Sequence, residues 1–259
     1  MHHNIKQFLD ECVENYERPA FIQDDPISIP HRFSRLQDIE IIAFWVSMLA
    51  WGKRKTIIQK SMQLIDLMDN TPYDFIKNHQ EKDRKRFLNF KHRTFQPLDA
   101  LYFVRFFHTY YQNNDSLETA FATSILPTSP TIEASLLNFN KLFFSLEDCP
   151  DRTRKQVSSP VTGSACKRLN LFLRWMVRSA DKGVDFGLWK NIQPAQLLMP
   201  LDVHVERVAR RLQLLTRDKT DFKAVLELTN NLRQFDPNDP VKYDFALFGL
   251  GVKDSFPTF

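Results

Sequence analysis

The sequence predicts an all-α protein. Phenylalanine is abundant at 23 residues while glycine is scarce at 6, a balance that suits packed helices over hairpin-rich sheets. Apolar residues recur at helical spacing along most of the 259 residues, and prolines punctuate them where helices start or stop. There is ample material for a core in one large domain or two small ones.

In chain order, Ile5, Phe8, Leu9, Cys12, Val13 and Tyr16 form one face of a first helix closed by Pro19. Residues 21–33, with Pro26 and Pro30, read as an extended connection. Ser34 is a candidate cap for a helix running to Ala50, whose Ile39, Ile41, Ile42, Phe44, Trp45, Val46 and Leu49 place it at a bundle centre. The basic turn Trp51-Gly52-Lys53-Arg54-Lys55 precedes a helix over 56–68. It suits either a phosphate-contacting or wedge element, or a solvated turn packed over Trp51.

A charged stretch from Asn70 to Arg93 follows, then helices over 98–111, 115–122 and 131–146, with Pro97 at the first turn of the first of these. A polar loop over 145–159 leads into Pro160-Val161-Thr162-Gly163-Ser164-Ala165-Cys166-Lys167, whose Pro160 and Gly163 are tight-turn residues. The next helix is rich in Leu, Phe and Trp. A further helix enters through Leu201-Asp202-Val203-His204 with Asp202 as N-cap, another spans 220–233 with Thr220 or Asp221 as cap, and a last one spans 241–250 with Gly249 or Gly251 as C-cap. Residues 253–259 read as a tail.

The net charge of +4 and pI near 8.9 are compatible with nucleic acid and with ordinary cytosolic enzymes alike. Cys12, Cys149 and Cys166 are odd in number and widely spaced, which supports neither a disulfide framework nor a cysteine-only metal site. There is no apolar signal core and no apolar run of membrane-spanning length, so the expected setting is the cytoplasm, away from the membrane.

Two side chains invite chemistry. Lys167 opens a buried helix and Asp202 opens another, and an amine beside a carboxylate can attack an electrophilic carbon. Lys167, Arg174 and Arg178 fall along one stripe that could hold a phosphodiester or simply snorkel over the core edge. Taken alone, Asp202 suits a cap and His204 a hydrogen-bonded structural residue; no histidine or carboxylate spacing supports a metal site.

Together, the hairpin-like Pro160–Lys167 segment and the run Pro200-Leu201-Asp202-Val203-His204-Val205-Glu206-Arg207-Val208-Ala209-Arg210-Arg211-Leu212 resemble the helix-hairpin-helix DNA glycosylase superfamily, including its lysine-bearing archaeal 8-oxoguanine branch. With the segment between them they cover about a fifth of the chain. Thr162 stands where that family has its first glycine, and counting from Gly163 its catalytic lysine falls nearer Ala165 than Lys167. The Lys167–Asn170, Arg174–Arg178 and Pro240–Ala246 segments also resemble an uncharacterised bacterial family of unknown function.

The glycosylase resemblance implies a two-lobed helical fold with a divergent helix-hairpin-helix and a cleft between the lobes. One lobe would be a bundle over 35–150, the other residues 1–34 with 151–259. It implies base-excision repair of double-stranded DNA carrying a damaged base, such as an oxidised purine, or an abasic site. Lys167 would attack the sugar C1′ to give a Schiff base that permits strand cleavage, and Asp202 would stabilise the developing positive charge. Arg168 or Arg174 would help Lys167 lose its proton. DNA contacts would come from Trp51, Lys53, Arg54, Gly163, Ser164, Arg168, Arg174, Trp175 and His204, with Trp51 and Trp175 lining a pocket for the flipped nucleotide. The four-cysteine iron-sulfur motif is absent; any ion would be a monovalent cation on hairpin carbonyls. The alternatives are a non-catalytic nucleic-acid binder on the same scaffold, a monofunctional glycosylase using Asp202 and water, and a helical interaction protein.

Overall fold

The computed structural model describes residues 2–253, with side chains from 5 to 252. In chain order the helices are α1 His2–Tyr16, α2 Pro19–Ile22, α3 Leu36–Leu49, α4 Arg54–Leu67, α5 Pro72–Asn78, α6 Glu81–Arg84, α7 Pro97–Asn113, α8 Glu118–Ala122, α9 Glu133–Phe143, α10 Lys167–Val177, α11 Val203–Arg211, α12 Phe222–Arg233 and α13 Tyr243–Lys253. Short 3-10 turns join them. The only β pairing among the described residues is two isolated bridges, His92 with Phe95 and Ser164 with Asp221, so the protein is all-α. No described helix is long and apolar enough to cross a membrane. The expected tail lies, from residue 254 on, outside the described residues.

The chain forms two compact units. The first, here the bundle unit, comprises Ile22–Ser124 and Ser135–Ser158; the second, the hairpin unit, comprises Met1–Phe21, Ile125–Ala134 and Ser159–Phe259.

In the bundle unit, α3 is apolar nearly all round and is buried from Ile39 to Leu49. Phe44 meets Phe107 of α7 and Phe139 of α9 at ring separations of 5.4 Å each, and Trp45 meets Phe103 at 5.0 Å and Phe95 at 5.8 Å. The phenylalanine surplus goes largely into this cluster. The buried Glu40 is matched: it accepts from Tyr111 Oη (2.9 Å), Ser116 Oγ (2.6 Å) and the Leu117 N–H (3.0 Å).

Several local expectations change. Ser34 does not cap α3; Arg35 occupies the N-cap without a side-chain bond. Residues 26–28 and 30–32 are 3-10 turns where an extended connection was expected, because Ile27 and Ile29 bury against the bundle and Asp25 caps the first turn at 3.2 Å. That places 22–34 with the bundle. Residues 151–158 join it too, since Thr153 Oγ1 and Gln156 Nε2 donate to the fully buried Asp99 at 2.7 and 3.1 Å. Conversely, residues 125–134 belong to the hairpin unit: the Ile132 N–H donates to Gln196 O, and Gln196 Nε2 returns bonds to Leu126 O and Ser129 O, all within 2.9–3.0 Å.

In the hairpin unit, α1 and α11 pack along α13. Gly249 and Gly251 do not terminate that helix, which runs on to Lys253. They are notches. A Cβ on Gly249 would overlap the Tyr16 ring, and one on Gly251 would lie 2.8 Å from His204 Cβ.

Candidate active site around Lys167 and Asp202

Local turn chemistry places Lys167. Ser159 Oγ caps the 3-10 turn Pro160–Thr162, and Gly163 follows at φ +75° with its N–H on Pro160 O at 2.8 Å. The element before the glycine is thus a 3-10 turn, not an α-helix. Val161 at its tip is 80 % exposed. Gly163 O accepts the Phe222 N–H at 3.0 Å, which fastens the turn to the start of α12. Ser164 Oγ accepts the Cys166 N–H at 3.2 Å and helps hold Cys166 at φ +49°, a left-handed conformation that costs a non-glycine residue about 1–2 kcal/mol. Lys167 then begins α10.

Asn170 connects this turn to the segment that delivers Asp202. Its buried amide donates to Ala165 O at 3.2 Å and Met199 O at 3.4 Å, while Thr229 Oγ1 accepts the Met199 N–H at 3.1 Å. Pinned on both sides, the chain reaches Asp202 at the N-cap of α11. Asp202 Oδ1 accepts both the His204 and Val205 N–H groups, at 2.9 and 3.0 Å, while Oδ2 takes no hydrogen bond among the described residues. Cap and available carboxylate oxygen coexist in one half-buried side chain.

A third residue, Asp244 near the start of α13, unites the pair. Burial pushes its carboxyl up to about 6; Arg174 opposes the shift, the negative charge of Asp202 adds to it and the positive charge of Lys167 opposes it. Both predicted side chains therefore act electrostatically on the same buried group. The sequence signal for Asp244 is only an acid in the first turn of the last helix, where the helix dipole alone accounts for it.

The arginine stripe is not a phosphate-binding face. Arg174 and Arg178 are 6 % and 4 % exposed. Arg174 pairs with Asp244 and, at 3.3 Å, with Asp185; Arg178 pairs with Asp185 (2.6 Å), Glu17 (2.7 Å) and Asp239 (2.9 Å). Arg174 therefore spends its charge on buried carboxylates. Trp175 is fully buried, which rules it out as a wall of an open nucleotide pocket. His204 Nδ1 donates to Gly251 O at 3.2 Å and its ring meets Phe248 edge-on, a structural engagement. Arg168 is half-buried, and burial pulls its guanidinium down to about 10, still charged at neutral pH. Gly163 is exposed, whereas Ser164 is half-buried with its hydroxyl committed to the turn.

The carbonyls of Ser159, Pro160 and Gly163 already accept from Thr162, Gly163 and Phe222 at 3.2, 2.8 and 3.0 Å. In the bundle unit, Trp51 is half-buried in its turn, Lys53 is exposed and Arg54 half-exposed.

A sequence profile for proteins of unknown function, DUF2400, matches residues 25–253, nearly the whole chain. The chain belongs to the DUF2400 family. No curated protein and no solved structure matches it. The family match covers the described parts of both units from residue 25 onward, leaving α1 and α2 outside it, and includes Lys167, Asp202 and Asp244.

Proposed function

We propose that this DUF2400 protein is a base-excision DNA glycosylase with AP-lyase activity, acting in the cytoplasm at the nucleoid on duplex DNA that carries a damaged base, an oxidised purine being the favoured class. The observation that carries the reading is the buried Asn170 amide, which ties Ala165 O, just before Lys167, to Met199 O, just before Asp202. The charges of the amine and the carboxylate expected from the glycosylase resemblance both bear on the buried Asp244, which supports the reading.

In this reading the Lys167 ammonium first passes a proton to a neighbouring carboxylate. Its nitrogen then bonds to C1′ as the glycosidic bond breaks, and the base leaves with that bond's electron pair and takes up a proton. Asp202 stabilises the positive charge that develops on the sugar. The resulting Schiff base acidifies the C2′ hydrogen, and β-elimination breaks the strand on the 3′ side. The turn at Trp51, Lys53 and Arg54 would face the DNA.

One observation favours a second reading, a monofunctional glycosylase. Oδ2 of Asp202 is left unbonded among the described residues and suits the orientation of an attacking water. Assays of base release and strand cleavage on duplexes containing 8-oxoguanine, other oxidised bases or an abasic site separate the two. The leading reading expects release and cleavage by the wild type and loss of cleavage in Lys167→Gln. Undiminished base release by Lys167→Gln without cleavage favours water. Salt-dependent binding with no release on any of these substrates makes the chain a non-catalytic binder.

A further inference from the structure

A cationic surface on the bundle unit is held ready by two interlocked turns. The first, Trp51-Gly52-Lys53, joins α3 to α4. The second is closed by reciprocal bonds between His92 and Phe95, each 2.9 Å, with Arg93 at φ +54°. His92, almost fully buried, donates from Nε2 to Trp51 O at 3.3 Å, and the Arg93 guanidinium carbon lies 4.5 Å above the Trp51 ring. Gly52, at φ +101°, makes the approach possible: a Cβ there would come within 2.7 Å of Arg93 Nη1.

Lys53, Lys55, Lys91 and Arg93 are exposed, and among the described residues no carboxylate pairs with them. Other surface arginines of the same unit do pair, Arg35 with Asp74 at 2.8 Å and Arg86 with Asp69 at 2.7 Å. No aspartate or glutamate occurs from Ile41 to Ile65 or from Arg84 to Leu98. The segments that build the surface thus lack acids, while a left-handed Arg93 and a stacked Trp51 fix one guanidinium in place.

We propose that these paired turns form a docking surface for the phosphodiester backbone of duplex DNA, with Lys53, Lys91 and Arg93 contacting phosphates and the Trp51–Arg93 stack as their rigid platform. The proposal rests on the DNA reading above, and extends it to a second turn, 92–95, far along the chain from the first. The partner is argued from charge complementarity: a polyanion matches several exposed, unpaired cations, and phosphate contacts of this kind position a protein without reading sequence.

The test is fluorescence anisotropy with an undamaged labelled duplex over 50–200 mM salt. Each phosphate contact removed should lower the slope of log affinity against log salt by about 0.9. Lys91→Ala with Arg93→Ala is therefore expected to reduce the slope by about 2 and weaken binding at least tenfold at the low-salt end. Lys53→Ala with Lys91→Ala should do the same, a pair that leaves the Arg93 stack intact and guards against a folding artefact. Lys219→Ala with Lys223→Ala, two charges removed from the hairpin unit, should leave the slope unchanged. Wild-type binding that all three variants match overturns the surface while the DNA reading stands. An equal loss in the control pair overturns it as well. A wild type that binds no duplex at 50 mM salt overturns both.

Discussion

Arg174 closes on Asp244 inside the hairpin unit, with side chains only 7 % and 5 % exposed. The pair continues through Asp185 to Arg178, Glu17 and Asp239, so two arginines answer four carboxylates. Removing one arginine strands buried charge. Arg174→Met is expected to cost about 3–5 kcal/mol in urea unfolding, and adding Asp244→Leu should recover a large part of it.

The same imbalance sets a pH dependence. Asp244 rises from the ordinary 3.8 to about 6 in the folded protein, so the folded state holds this proton more tightly than the unfolded chain does. Its contribution to stability is full below about pH 4 and is lost as pH rises through about 6, a swing of up to about 3 kcal/mol. Stability of the wild type relative to Asp244→Asn should fall over that window and stay flat from pH 7 to 8. Parallel curves for the two proteins would refute the assignment.

Asp202 carries two roles that substitution separates. Asparagine is as good an N-cap as aspartate, whereas alanine costs about 1 kcal/mol. Asp202→Asn should therefore unfold close to the wild type while losing base excision by about a hundredfold or more, and Asp202→Ala should lose both. Retained excision in Asp202→Asn would leave the carboxylate a cap alone.

Gly251→Ala and Gly249→Ala reverse the usual rule that alanine stabilises a helix interior by about 0.5–1 kcal/mol. The added methyl meets His204 in one case and the Tyr16 ring in the other. Each should destabilise by about 1–3 kcal/mol in chemical denaturation, as overpacked cores do.

These particulars show what local pattern conveys. The centre of the bundle was legible because α3 has almost no polar face, and the Asp202 cap because Pro200-Leu201-Asp202 is a helix entry in itself. Arg174 and Arg178 were misread as surface because an arginine stripe looks alike whether water or acid faces it; its partners Glu17, Asp239 and Asp244 stand 60 residues or more away. Gly249 and Gly251 resembled stop signals for the same reason. Their purpose lies with Tyr16 and His204, on other helices. Asp244 escaped notice because its significance depends on Lys167 and Asp202, which only the folded chain brings to bear on it.

Attack of the Lys167 amine on the sugar is the step on which the proposed lyase chemistry depends. Borohydride reduction during reaction with an abasic-site duplex, followed by peptide mapping of any covalent adduct, tests it directly. An adduct is expected on the peptide containing Lys167 and should disappear in Lys167→Gln; no adduct, or one that survives this substitution, would exclude Lys167 as the nucleophile.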